Sequence, residues 1–237
     1  MKPLLAILIA LLICSSTTQG SVGPAHFYGA WESKTEGGST IVKIYTPTYF
    51  IVSEYRGEQF MMAAGGTWVL VGSGITETYE FHSAKPEVIG NSSILTYSDH
   101  EAVPWVAEQN GQEMSWTRID EGKSELAGAW RITNRMRNGE MSAMTMGSRK
   151  TFKILSGSRF QWAAYNVETK QFSGTGGGTY KLQDGKYTEH IEFFSRDASK
   201  LGRSLEFAYN IENNKWHHSG FSSKGDPISE IWTNQDK

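Results

Sequence analysis

Residues 174–195, Gly-Thr-Gly-Gly-Gly-Thr-Tyr-Lys-Leu-Gln-Asp-Gly-Lys-Tyr-Thr-Glu-His-Ile-Glu-Phe-Phe-Ser, contain the pattern that decides the fold. Two runs, Gly174–Gln183 and Lys186–Ser195, flank Asp184-Gly185, which is a strong signal for a two-residue hairpin turn. In the second run Tyr187, Ile191 and Phe193 lie two or four residues apart, as expected for a strand with one face in a core. The stretch therefore predicts an antiparallel β-hairpin.

The same pattern continues through the second half of the chain. Short aromatic and β-branched runs separated by turn residues predict further strands at Trp130–Asn134, Thr151–Ser156, Arg159–Asn166, Ser204–Glu212, Lys215–Ser222 and Pro227–Asn234. About eight antiparallel strands in sequential order predict an up-and-down meander, and closing it into a barrel removes the exposed edges. The glycines at 174, 176, 177 and 178 are expected where strands bend sharply at barrel corners.

The first half of the chain is a second, degenerate copy of this pattern. The matched segments are Gly29-Ala30-Trp31 with Gly128-Ala129-Trp130, Lys43-Ile44 with Lys153-Ile154, Gly65-Gly66-Thr67-Trp68 with Gly177-Gly178-Thr179-Tyr180, Thr76-Glu77 with Thr188-Glu189, Glu80-Phe81 with Glu192-Phe193, and 90–97 with 202–209. The prediction is an all-β chain of two tandem antiparallel barrels, at residues 26–118 and 125–237. The short polar linker Ile119–Leu126 indicates that the barrels touch.

The opening Gly-x-Trp, the meander and the closing aromatic strand resemble lipocalin-like (calycin) barrels. Gly176 to Tyr180, Tyr187 to Phe193, Gly202 to Phe207 and Glu230-Ile231-Trp232 are similar to an uncharacterised family of bacterial secreted lipocalin-like proteins. The resemblance covers the second copy nearly end to end. It implies a barrel with one end open for a small molecule, and it carries no catalytic residues.

The N-terminus has the layout of a secretory signal peptide. A short positive start precedes the apolar run Leu4 to Ile13, which is too short to span a membrane, and small polar residues follow. We expect a signal peptide at residues 1–20, a secreted or periplasmic protein, and no transmembrane segment in the mature chain. Lipid attachment at Cys14, the only cysteine, is the alternative at an outer membrane.

Charge and motifs exclude several classes of function. Lys and Arg total 23 against 25 Asp and Glu, and no basic run marks a nucleic-acid surface. No Gly-x-Ser-x-Gly or His-Glu-x-x-His motif occurs, and no cysteine follows the signal peptide. We therefore expect no enzyme activity, no cofactor and no nucleic-acid partner.

Three polar residues fall on inward strand faces of the second barrel. Glu189 shares a face with the apolar residues of its strand, and neighbouring strands bring His218 and Glu230 together. A buried carboxylate is costly unless it is paired, and burial raises its pKa. The cluster is either a polar anchor for a ligand inside an aromatic cup or a buried structural network; in a different strand register Glu189 would instead face solvent.

Aromatic residues are numerous and either fill a small barrel or line a cavity within it. We expect Trp31 and Trp130 to pack at the barrel bases. The candidate ligand-binding residues are the aromatic group and the polar group together, namely Trp162, Tyr180, Glu189, Phe207, Tyr209, His218 and Glu230.

The clearest difference between the copies is an insertion between Trp130 and Lys153. It holds Met141, Met144 and Met146 and is preceded by Met136. Thioethers suit Cu(I), although flexible Met side chains also form a lid over a barrel mouth, which is the interpretation we favour. No metal ligands are predicted.

The function predicted from these patterns is binding of a small apolar or amphipathic molecule in the second barrel. The alternatives are a non-enzymatic structural or interaction module of the cell envelope with filled barrels, and an enzyme or metal handler using His218 and Glu230 or the Met segment.

Overall fold

The computed structural model describes residues 22–97, 105–109 and 111–236. The predicted signal peptide, including Cys14, lies outside the described residues. Within those ranges the chain is all-β, with three short 3-10 turns at Pro24–His26, Pro86–Val88 and Ala198–Lys200. No helix in the described part of the chain has the length and apolar character needed to cross a bilayer.

The first barrel has eight antiparallel strands in sequential order, closed by pairing of its first strand with its last. They are β1 (Gly29–Lys34), β2 (Thr40–Tyr45), β3 (Tyr49–Arg56), β4 (Gln59–Val71), β5 (Gly74–His82), β6 (Ser92–Tyr97), β7 (Trp105–Gln109) and β8 (Gln112–Asp120).

The second barrel repeats this arrangement and adds one strand. Its strands are β9 (Gly128–Arg137), β10 (Glu140–Ala143), β11 (Arg149–Leu155), β12 (Arg159–Asn166), β13 (Phe172–Gln183), β14 (Lys186–Phe194), β15 (Ser204–Glu212), β16 (Lys215–Phe221) and β17 (Pro227–Asn234). Pairing of β9 with β17 closes the barrel, while β10 forms a hairpin on the far end of β9. The predicted all-β fold of two tandem antiparallel barrels is confirmed.

Glycines bend the longest strands of both barrels at equivalent places. The register of β13 against β14 shifts between Gly177 and Gly178, and that of β4 against β5 shifts between Gly65 and Gly66. A Cβ at Gly178 would lie 2.0 Å from the His190 carbonyl oxygen, so only glycine fits there. The bends expected at the glycine cluster are thus β-bulges.

A tryptophan at the equivalent position of each copy packs at the base of its barrel. The Trp31 and Trp130 indoles are buried, and each Nε1 donates a 2.8 Å hydrogen bond to a backbone carbonyl four residues earlier, on Phe27 and Leu126. The prediction that both tryptophans pack at the barrel bases is confirmed.

The two barrels pack against each other through reciprocal contacts. Tyr165 of the second barrel donates a 2.7 Å hydrogen bond to Glu80 of the first, and Tyr55 of the first donates a 3.2 Å bond to Glu192 of the second. The same tyrosines stack across the interface, Tyr165 on Phe81 at 4.7 Å and Tyr55 on Phe193 at 5.3 Å between ring centroids. Because each contact joins equivalent positions of the two copies, the interface is pseudo-twofold.

The last residues of each copy add a second set of reciprocal contacts between the barrels. The Asp120 carboxylate at the end of β8 accepts hydrogen bonds from Ser156, Gly157 and Ser158 in the β11–β12 turn of the other barrel. The Asp236 carboxylate after β17 accepts from Thr46 and Thr48 in the equivalent β2–β3 turn.

Candidate functional site

The second barrel contains a cavity of about 580 Å³ at one end. It opens where β12 and β14 end and where β15 and β17 begin, and residues toward the middle of these strands form its floor. The opposite end is filled by a packed aromatic and aliphatic core that includes Leu126, Trp130, Phe160, Tyr187 and Trp216. The barrel therefore has one closed and one open end.

Five of the seven predicted site residues line this cavity: Trp162, Glu189, Phe207, His218 and Glu230. Their contact with a ligand remains a prediction. Tyr180 and Tyr209 are not part of the lining. The Tyr180 hydroxyl donates to the Ser156 carbonyl at 2.7 Å, and the Tyr209 hydroxyl lies 3.2 Å from a Glu125 carboxylate oxygen.

A buried ion pair lies at the floor of the cavity. Lys153 Nζ is 2.5 Å from Glu189 Oε1, and both side chains are only 6% exposed. Tyr187 donates to the same oxygen at 2.7 Å; burial and then the negative charge of Glu189 raise the pKa of this phenol well above its ordinary value. The Tyr187 hydroxyl therefore remains a hydrogen-bond donor to Glu189.

Five aromatic rings surround the Lys153 ammonium. Its nitrogen lies 5.3–5.8 Å from the ring centroids of Phe160, Tyr187, Phe207, Trp216 and Trp232. Sequence reasoning missed Lys153 as a site residue. The available signal was that Lys43 and Glu77 recur together as Lys153 and Glu189.

A second charged cluster lies nearer the mouth. Glu230 and Arg135 are Cα partners across β9 and β17. Arg135 Nε and Nη2 donate to Glu230 Oε1 at 3.0 and 2.6 Å, while Trp232 Nε1 donates to Oε2 at 3.1 Å. Burial alone would raise the pKa of Glu230, but the adjacent His218 and the Arg135 charge outweigh it and lower the pKa to about 2.

His218 is the Cα partner of Glu230, as the strand pattern predicted. Its Nδ1 lies 3.5 Å from Glu230 Oε2, and neither ring nitrogen has a hydrogen bond to a described residue. The ring packs on Phe207 at a centroid distance of 4.2 Å. Burial lowers the pKa of His218 from its ordinary value, so the imidazole is neutral at pH 7.

The first barrel keeps the inner ion pair and lacks the outer cluster. Lys43 Nζ lies 2.8 Å from Glu77 Oε1, which also accepts a hydrogen bond from Tyr45. The pairing of β7 with β8 places Ala107 beside Met114 where the second barrel has His218 beside Glu230. Around Lys43 the interior is occupied by a core that includes Trp31, Phe50, Trp68, Ile75, Trp105 and Trp116.

The Met insertion forms the β9–β10 hairpin at the mouth. Met136 lines the cavity and is the Cα partner of Met141, and both are about two-fifths exposed. Met144 packs against the barrel core, and Met146 is about half exposed. Within the described ranges, no three His, Cys, Asp or Glu side chains form a group that could hold a metal ion.

Residues 125–236 match a protein family described as "Domain of unknown function (DUF4488)". The match spans the second barrel. No curated protein matches the chain.

Proposed function

We propose that this chain is a secreted or periplasmic lipocalin-like protein that binds a small apolar or amphipathic molecule in its second barrel, without catalysing a reaction. The observation that carries the proposal is the coincidence of the cavity with the Arg135–Glu230–His218 cluster. Both occur in the barrel whose sequence departs from its copy at these positions.

The cavity has the size and wall of a small-molecule site. Its volume of about 580 Å³ lies within the range of roughly 300–1,000 Å³ typical of such sites. Apolar side chains form much of the wall, among them Trp162, Ile191, Phe194, Leu205, Phe207 and Ile228. Each ligand methylene buried against them contributes about 0.8 kcal/mol before the costs of association.

The polar side chains of the cavity would orient the ligand. Glu189, His218 and Glu230 all line the cavity, and two of them are fixed by cationic partners. Fixed polar groups within an apolar wall distinguish the two ends of an amphipathic molecule.

Intrinsic fluorescence tests binding, because Trp162 and Trp232 line the cavity. Titration with fatty acids, fatty alcohols, sterols and haem should change the emission of the intact chain for at least one class. Ala164→Phe, which places a phenyl ring inside the cavity, should weaken the change, while Val69→Phe on the exposed face of the first barrel should not. No response by fluorescence or calorimetry to any class refutes the proposal.

Secretion is tested separately. Expression of the whole reading frame in a bacterium should yield a periplasmic or medium protein whose first residue is Ser21. A cytoplasmic product with the N-terminus intact contradicts the signal peptide, and a lipid on Cys14 identifies the alternative anchor.

A second candidate function is favoured by the outer face of the first barrel. Val69, Val71 and Ile94 are 57%, 66% and 64% exposed, where the second barrel has Lys181, Gln183 and Glu206. The first barrel, whose interior around Lys43 is packed with aromatic and aliphatic side chains, would act as an interaction module of the envelope through this face. Replacing all three residues by serine should abolish capture of one stoichiometric partner without changing ligand binding.

A further inference from the structure

We infer that the ligand of the second barrel carries an anionic headgroup, a carboxylate or phosphate, bound by the unoccupied edge of the Arg135 guanidinium at the cavity mouth. This inference rests on the proposed function and specifies the chemistry of the same site.

The geometry of Arg135 leaves three of its five donors without an acceptor among the described residues. A guanidinium has five N–H donors arranged along two edges, each able to hold a carboxylate. Glu230 takes two of them, on the edge formed by Nε and Nη2. Among the described residues none accepts from the other edge, formed by Nη1 and the second hydrogen of Nη2.

The difference in exposure between Arg135 and Glu230 indicates that the unused edge of the guanidinium is accessible to a ligand. The Arg135 side chain is 44% exposed, whereas Glu230 beneath it is 5% exposed, and both line the cavity. Glu230 therefore fixes the guanidinium from below, and the unused edge remains accessible from the mouth. An apolar chain extending inward from a headgroup at this edge would meet the wall formed by Leu205, Phe207 and Trp162.

The other cationic and titratable groups of the cavity lining offer no comparable contact for an anion. The Lys153 ammonium is engaged by Glu189 and enclosed by rings, and His218 is neutral at pH 7. Arg135 is thus the cation of the lining with free donors, and its planar geometry suits bidentate binding of a carboxylate or phosphate.

Asp226, at the rim, opposes this preference and so provides a further test. Its carboxylate lines the same mouth and is exposed. Because like charges repel, removing this charge should tighten binding of an anion and weaken binding of a cation.

Neither Arg135 nor Glu230 has a counterpart of the same kind in the first barrel. Strand β9 has ten residues where β1 has six, and this extension carries Arg135 to its position opposite Glu230. The first barrel has Met114 in place of Glu230. Both members of the pair therefore occur in the barrel that contains the cavity.

The experiment compares three ligands with the same chain: dodecanoate, dodecan-1-ol and dodecyltrimethylammonium. Calorimetric titration of the full mature chain at pH 7.5, below the micellar concentrations, should give affinity for the carboxylate about tenfold or more above that for the alcohol. The ammonium should bind most weakly. Asp226→Asn should tighten dodecanoate binding about twofold to fivefold.

Two substitutions at Arg135 distinguish the effect of its positive charge on ligand binding from the effect of its planar guanidinium geometry. Arg135→Gln should remove the carboxylate preference, measured as the ratio of carboxylate to alcohol affinity in the same variant, and Arg135→Lys should restore only part of it. Arg137→Gln, on the exposed hairpin, is the matched control. The alcohol titration also reports whether each variant is folded.

The outcomes distinguish this inference from the proposed function. Equal affinity for the three ligands, tighter binding of the ammonium, or an unchanged preference in Arg135→Gln overturns the anionic headgroup but leaves binding in the cavity intact. Failure of all three ligands to bind, together with the wider panel, overturns the proposed function itself and the inference with it.

Discussion

Lys153 Nζ lies 2.5 Å from Glu189 Oε1 in the second barrel, and Lys43 Nζ lies 2.8 Å from Glu77 Oε1 at the equivalent place in the first. The inner ion pair therefore belongs to the fold that both copies share. Arg135, His218 and Glu230 have no such counterpart set. Within one cavity, the Lys153–Glu189 pair is therefore a structural network, and the Arg135, His218 and Glu230 cluster is the candidate ligand anchor.

Breaking the inner pair should destabilise the second barrel strongly. Lys153→Met leaves the Glu189 carboxylate buried without its cation, which costs about 3–5 kcal/mol. The double variant Lys153→Met/Glu189→Gln should recover most of that loss, because no uncompensated charge remains. Equilibrium denaturation of the single and double variants measures both effects.

The matched control is the exposed pair Lys186–Glu206, in which both side chains are 56% exposed. Lys186→Met should change the free energy of unfolding by less than about 1 kcal/mol. A small cost for Lys153→Met, similar to this control, would show that the inner pair is dispensable.

Glu230 should make the protein sensitive to acid. Its pKa is lowered to about 2, below the ordinary value of 4.5, so the folded state prefers the carboxylate more than the unfolded chain does. This contribution to stability is present above pH 4.5 and is lost as the pH falls toward 2. Glu230→Gln should therefore flatten the fall in melting temperature between those values.

A comparison with Glu206→Gln checks the assignment, since Glu206 is more than half exposed. That variant should keep the acid dependence of the unmodified protein. If both variants lose the same amount of stability between pH 4.5 and 2, the slope comes from other carboxylates.

The buried His218 should cost stability in the unliganded protein. Its ring nitrogens lack hydrogen bonds to described residues, and burial lowers its pKa below 6.5. The unfolded chain therefore takes up a proton more readily, and stability falls as the pH drops below 6.5. His218→Leu should raise the free energy of unfolding by about 1–3 kcal/mol and reduce this slope.

Ligand affinity gives the second measurement for the same variant. If His218 orients the ligand, His218→Leu binds it more weakly although the protein is more stable. Unchanged affinity would remove His218 from the ligand contacts, and reduced stability would show that the imidazole has partners in solution.

Much of the fold could be predicted because its local signals agree with one another. Asp184-Gly185, the period-two pattern of Lys186–Phe194 and the duplication all indicate the same meander. The packing of the two barrels could not be predicted in the same way. In β12, Phe160 faces the barrel interior, whereas Ala163 and Tyr165 face the other barrel. Because both faces of the strand are buried, the alternation of apolar and polar residues does not show which face lies inside the barrel.

The site was predicted where strand pairing determines it. Register alone brings His218 beside Glu230, whereas the contact of Lys153 with Glu189 spans the interior between strands that are not neighbours. The sequence pattern also does not show how far along the barrel axis each inward-facing side chain lies. Tyr209 lies two residues from Phe207 on the same strand, yet only Phe207 reaches the cavity.

The reciprocal interface should couple the stabilities of the two barrels. Phe81 of the first barrel stacks on Tyr165 of β12 in the second, with a centroid distance of 4.7 Å. Phe81→Ala removes this contact and leaves a cavity, at a cost of about 3–5 kcal/mol. Because β12 loses packing on one face, its amide hydrogens should exchange faster by mass spectrometry although it lies in the other barrel.

Ile75→Ala is the matched control for this coupling. Ile75 is fully buried in the interior core of the first barrel and is not part of the inter-barrel cluster. Its truncation should speed exchange within 29–97 and leave Arg159–Asn166 protected. Equal protection of β12 in both variants would mean that the barrels open independently, and that the exchanged tyrosine contacts hold two autonomous units side by side.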